Sequence, residues 1–69
     1  MRNPEPTDSV QVIQDGFVQI ETKCAHTVMA QAVFELYVAL TKKWEGRIEI
    51  VWRNLLDDNK IIDYRDWKH

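Results

Sequence analysis

Cysteine is almost missing from this chain. Cys24 stands alone, so no intrachain disulfide can form, and a reducing, cytoplasmic setting is expected. Glycine is scarce as well. Gly16 lies between two β-rich runs and Gly46 follows a helical pattern, which leaves no glycine-rich loop to cradle a phosphate. Both prolines fall in "MRNPEPTDS", a stretch without an apolar anchor, and residues 1–9 are expected to form a flexible tail. The same stretch lacks the apolar core of a signal peptide. No apolar run is long enough to span a membrane, because Val33–Leu40 is broken by Glu35 and ends near Lys42 and Lys43. An excess of one charge is also missing. The net charge of −2 supplies neither the basic footprint of a nucleic-acid-binding domain nor the acidity of a nucleic-acid mimic.

What remains is a chain of 69 residues, 45% apolar and 29% charged, which suits one small globular domain, expected over residues 10–69. A core this small leaves only a few kcal/mol of net stability, on the order of 3–5 kcal/mol.

"VQVIQDGFVQIE" has the form of a β-hairpin, since Asp-Gly between β-rich runs favours a tight reversal. A three-residue loop, Gln14-Asp15-Gly16, would pair Val12 with Val18, Val10 with Ile20 and Ile13 with Phe17, so that like meets like across the strands. A helix is expected next, starting between Lys23 and Thr27 and ending at Trp44, with Thr22 or Thr27 as cap and Gly46 as terminator. At about 100° per residue, Ala25, Met29, Ala32, Val33, Leu36, Leu40 and Trp44 form one stripe, taken as the core face. Gln31, Glu35 and Lys42 form a polar wedge, and Ala30, Phe34, Tyr37, Val38 and Thr41 are left over as surplus apolar positions. "RIEIVWRN" alternates as a strand with Ile48, Ile50 and Trp52 inward; "LLDDNK" is a turn; "IIDYRDW" is a last strand. In that strand Ile61, Asp63, Arg65 and Trp67 are expected on the outer face and Ile62 and Tyr64 on the other. The expected fold is therefore α+β, in the order ββαββ, with a four-stranded, mainly antiparallel sheet and one long helix packed on one face.

Site chemistry is thin. Cys24 and His26 are close in sequence, but His69 is distant, and structural zinc wants four ligands at short spacing, so no metal site is expected. "DDNKIID" lacks the glycine and the distal glutamate of a calcium loop and fits an Asx-rich turn. No nucleophile, base and orienting group can be assembled from the two histidines and the hydroxyl residues, so no catalytic residue and no cofactor is assigned, and the chain is not expected to be an enzyme. "CAHT" before a helix resembles the start of the first helix in the phosphocarrier proteins of the sugar phosphotransferase system. There the phosphorylatable His is followed by Arg and Pro. His26 matches, but Val28 and Met29 do not, and the later helices of that fold have no counterpart, so no function is carried across.

The surplus apolar residues point instead to a partner. The helix flank of Phe34 and Val38 suits a second copy, giving a homodimer, or another protein. The outer sheet face, with Ile13, Phe17, Arg53, Arg65 and Trp67, combines aromatic and arginine side chains of the kind that anchor interfaces. The expected function is that of a small protein-binding module that sterically blocks a larger host complex, as phage and mobile-element inhibitors do, an anti-CRISPR protein being one example. The alternative is a nucleic-acid-binding regulator using Arg47, Arg53, Arg65 and Lys60 on the sheet.

Overall fold

The first two strands, β1 (Asp8–Gln14) and β2 (Phe17–Cys24), form the expected hairpin, but its turn has two residues instead of three. Asp15 (φ 51°) and Gly16 (φ 86°) both adopt positive φ, the geometry of a type I′ turn, whose twist matches that of the flanking strands. Gln14 then faces Phe17 and Ile13 faces Val18. One step on, Gln19 is inserted as a bulge, and Val12 meets Ile20. A regular two-residue register would have set Val12 against Gln19. The bulge keeps the preferred turn and restores the apolar pair on the core side.

The computed structural model describes residues 5–69. After the hairpin come α1 (Thr27–Thr41), β3 (Arg47–Asn54) and β4 (Lys60–Lys68), giving an α+β fold of order ββαββ. All neighbouring strands are antiparallel and lie in the order β2-β1-β3-β4, so β1 is central and pairs with both β2 and β3. Ordered structure starts earlier than the composition suggests. Asp8 and Ser9 are buried in β1 instead of belonging to the tail, and Thr7 already donates to the Cys24 carbonyl at 2.9 Å. Residues 1–4 of the expected tail lie outside the described residues.

One face of the sheet carries the core. Val10 and Val12 of β1, Cys24 of β2, and Ile48, Ile50 and Trp52 of β3 pack against Ala30, Phe34 and Val38 of α1. This corrects the reading of the helix. Phe34 is fully buried and stacks obliquely on Trp52, with ring centroids 6.0 Å apart, so Phe34 and Val38 are core residues and not a partner surface. The polar members of this face are satisfied. Tyr37 Oη and Thr22 Oγ1 lie 2.6 Å apart, and the buried Thr41 hydroxyl donates to the Tyr37 carbonyl at 2.7 Å. Of the stripe expected to be core, only Val33 and Trp44 reach the core margin. The helix is apolar around most of its circumference, so periodicity supplies two candidate faces. The larger ring, together with hydroxyls that find partners, makes the narrower face the better one to bury.

The loop after α1 is clamped to the hairpin tip. Asp15 donates its backbone N–H to the Arg47 carbonyl at 2.8 Å and accepts the Arg47 N–H on Oδ1 at 2.9 Å. Gly46, between them in space, has φ 91°, and a Cβ there would come within 2.6 Å of the Asp15 carboxylate. A side chain at position 46 would be strained by this backbone conformation and would have to displace the Asp15 carboxylate that holds the Arg47 N–H.

Candidate protein-binding surface

The helix that buries Phe34 must turn its other apolar stripe outward. Val28 is 79% exposed, Met29 47%, Leu36 62% and Leu40 52%. Met29, Val33, Leu36 and Leu40 follow a four-three-four spacing, the seam along which one helix packs against another or lies in a groove. Ala32 and Ala39, also exposed, border this seam and leave room for close approach. The row has no charged side chain until Lys43. Single exposed leucines are ordinary, but a contiguous row along one helix is not.

The residues proposed from sequence are scattered. Ile13 and Arg53 do lie on the face of the sheet away from the helix, where Arg53 Nη1 donates to Gln11 Oε1 at 2.8 Å and Gln11 Nε2 donates to Glu21 at 2.5 Å. Phe17 is exposed at the hairpin end, opposite Gln14, and does not join that face. Arg65 and Trp67 are not on it either. In β4 an extra residue, Ile62, is inserted where Asp63 pairs with Trp52 and Ile61 with Arg53. The bulge inverts the side-chain alternation beyond it. Asp63, Arg65 and Trp67 therefore share the helix side with Trp52, Ile50 and Ile48, whereas Ile61, Tyr64 and Asp66 lie on the open face. Trp67 packs on the core margin, and the Arg65 guanidinium carbon sits 5.7 Å from the centre of the Phe34 ring, in cation–π range. Alternation counted without the bulge missed this inversion.

The open face is electrostatically mixed. Arg47 Nε pairs with Glu49 at 3.2 Å, and Asp66 lies opposite Glu49 in the ladder. The Tyr64 hydroxyl is pushed above the ordinary phenol value by desolvation and then by the Glu49 and Asp66 charges. Acidic side chains thus interleave with the arginines of this face.

Asp8 and Cys24 are opposite one another in the β1–β2 ladder, and both are fully buried. The Asp8 carboxylate accepts from the Thr7 hydroxyl, from Thr27 Oγ1 at 3.2 Å and from Trp52 Nε1 at 2.8 Å. Thr27 begins α1, so a negative charge stands at the helix end where backbone N–H groups are unpaired. This is a structural anchor of β1, β3 and α1, built of neutral donors around one acceptor-only group. Burial, and next the Asp8 charge, push the Cys24 thiol above its ordinary value. A raised thiol pKa means that the folded state holds the proton where the unfolded state releases it. The corresponding stability is present below the ordinary thiol value and is lost as pH rises through the folded one. Cys24 is expected to resist iodoacetamide at neutral pH until denaturant is added; rapid labelling of the folded protein, followed by mass spectrometry, would contradict its burial.

His26, by contrast, is exposed at the position before the helix, with no side-chain capping bond. Thr27 contacts Asp8 instead of capping, and Thr22 lies in β2. In the β3–β4 turn, Asn54 Oδ1 accepts from the backbone N–H groups of Leu56 (2.9 Å) and Asp57 (3.2 Å), the Asx-type turn its composition suggests. Among the described residues no three His, Cys, Asp or Glu side chains come together as a metal site, and no helix is long and apolar enough to cross a membrane. No family model, curated protein or solved structure matches the chain.

Proposed function

We propose that the protein works without catalysis, by binding another protein through the outward face of α1. The observation that carries this reading is the exposed row Met29, Leu36 and Leu40, at the anchor spacing of a helix laid into an apolar groove. The partner is a protein presenting such a groove, and the action is steric occupation of it. In this reading the chain is an inhibitor of a larger host machine, of the kind that phages and other mobile elements encode, anti-CRISPR proteins among them. A cytoplasmic setting belongs to the same proposal and rests on the single buried thiol. The nucleic-acid alternative gains nothing from the fold, since Arg65 is turned to the helix side while Arg47 and Arg53 are engaged with Glu49 and Gln11.

Leu36→Asp places a charge in the middle of the row without touching the core. It is expected to keep the wild-type circular dichroism and thermal midpoint and to weaken partner binding by about tenfold or more. Light scattering behind a sizing column separates the two kinds of partner: a wild-type dimer that becomes a folded Leu36→Asp monomer identifies a second copy. With a monomeric wild type, capture from a host lysate compares the two baits. Retention of the same proteins by both, or unfolding of Leu36→Asp, would sink the proposal.

A further inference from the structure

The two edges of the sheet are finished differently. β4 carries the bulge at Ile62, and the Asp63 carboxylate takes the backbone N–H of Tyr64 at 2.8 Å, so this edge is interrupted and partly occupied by its own side chain. β2 is the other edge. Its bulge lies at Gln19, near the turn, and from Ile20 to Cys24 it pairs regularly with β1. Along such a stretch the backbone groups of successive residues alternate between the two sides of the strand. The Cys24 carbonyl accepts from the Thr7 N–H at 2.9 Å, on the β1 side. Thr22 faces β1 in the same way, so the N–H and C=O groups of Glu21 and Lys23 point outward. No loop or side chain among the described residues bonds to them.

The side chains of this stretch fit a second copy of the chain. Glu21 and Lys23 are both exposed, on the sheet face away from the helix. Lys23 has no ion pair among the described residues, and Glu21 holds only the neutral amide of Gln11. Between them stands Thr22, at the centre of the regular stretch. Its hydroxyl already meets Tyr37 Oη at 2.6 Å, so it brings no unpaired group to the edge.

We infer that β2 pairs antiparallel with β2 of a second copy, about a twofold axis at Thr22. This register sets Glu21 opposite Lys23 of the other copy, and symmetry repeats the contact on the far side of the axis. An axis at Glu21 or at Lys23 would set like charges face to face. The register at Thr22 also uses the outward backbone groups, because Glu21 and Lys23 of opposite copies then exchange both N–H···O=C bonds. It pairs the whole regular stretch, with Ile20 meeting Cys24 at each end, and stops short of the bulge at Gln19. The product is one continuous sheet with both helices on the same face. The two apolar helix rows thereby come to lie on one side of the dimer. The inference is independent of those rows, since Glu21 and Lys23 belong to β2.

The test uses the full chain, with sedimentation velocity over a concentration series and amide hydrogen exchange. The wild type is expected to form a reversible dimer in which exchange of the Glu21 and Lys23 amides slows as concentration rises. Glu21→Lys and Lys23→Glu are exposed changes, expected to leave the circular dichroism unaltered. Each should weaken self-association by about tenfold or more, because both symmetry-related contacts become repulsive at once. An equimolar mixture of the two variants is expected to recover the wild-type affinity, since each chain then faces the opposite charge. A wild type that stays monomeric at millimolar concentration, or Glu21 and Lys23 amides that exchange equally fast at every concentration, would overturn the inference without need of any variant. So would charge variants that associate like the wild type, or a mixture no better than its components. A dimer that Leu36→Asp dissolves and the charge variants leave intact would also overturn it, by placing the second copy on the helix row.

Discussion

Phe34→Ala is expected to unfold the protein. The side chain is fully buried, lies on Trp52 and receives Arg65 on its face. Truncating a core phenylalanine costs about 3–5 kcal/mol through lost transfer energy and the cavity left behind. A domain of this size has net stability on the order of 3–5 kcal/mol, so little folded population should remain at 25 °C. Circular dichroism and urea titration followed by tryptophan emission will measure it. The comparison with Leu36→Asp is the informative part. Both residues are large, apolar and on the same helix, yet one substitution is expected to abolish the fold and the other to leave it intact. The reverse pattern would mean that α1 rests on the sheet through its Met29–Leu40 row, and the binding surface proposed above would vanish.

Asp8→Ala should have the next largest effect. Its carboxylate collects donors from the preceding Thr7, from the start of the helix at Thr27 and from Trp52 in β3, in a site without solvent exposure. Hydrogen bonds to a charged acceptor contribute about 1.5–3 kcal/mol, and a buried donor left unpaired costs about 1–3 kcal/mol. A net loss of about 2–4 kcal/mol is expected, close to the whole stability of the domain. A double-mutant cycle separates the indole's share. Trp52→Phe removes the donor, so adding it to Asp8→Ala should cost less than adding it to the wild type. Strict additivity in urea midpoints would show that Asp8 and Trp52 do not act as a pair. Neither residue carries a signal for this in sequence. Asp8 stands beside prolines and polar residues, and its partner lies at position 52, across the sheet.

That contrast between local and distant information runs through the molecule. Asp15-Gly16 marks a reversal because few dipeptides tolerate two successive positive φ values, and the chain does turn there. Alternation in 47–54 marks a strand whose inward residues, Ile48, Ile50 and Trp52, are those that the pattern names. The element order and the fold class were therefore legible. The candidate surface was not. Its residues are visible as apolar, but periodicity points Met29, Leu36 and Leu40 to the core and Phe34 and Val38 outward, each the reverse of what the structure shows. Trp67 and Arg65 changed faces for a different reason, the bulge at Ile62.

Hairpin, helix, two further strands and the turns between them follow from local information. Those choices depend on backbone preferences and on periodicity within a few neighbouring residues. Which side of each segment is buried does not follow from such local information. A helix apolar on two faces can satisfy its own backbone with either one inward, and a strand can absorb one extra residue at small local cost. The choice falls to packing against residues far away in the chain: Trp52 and Arg65 for Phe34, Thr22 for Tyr37, and the β3 register for everything beyond Ile62.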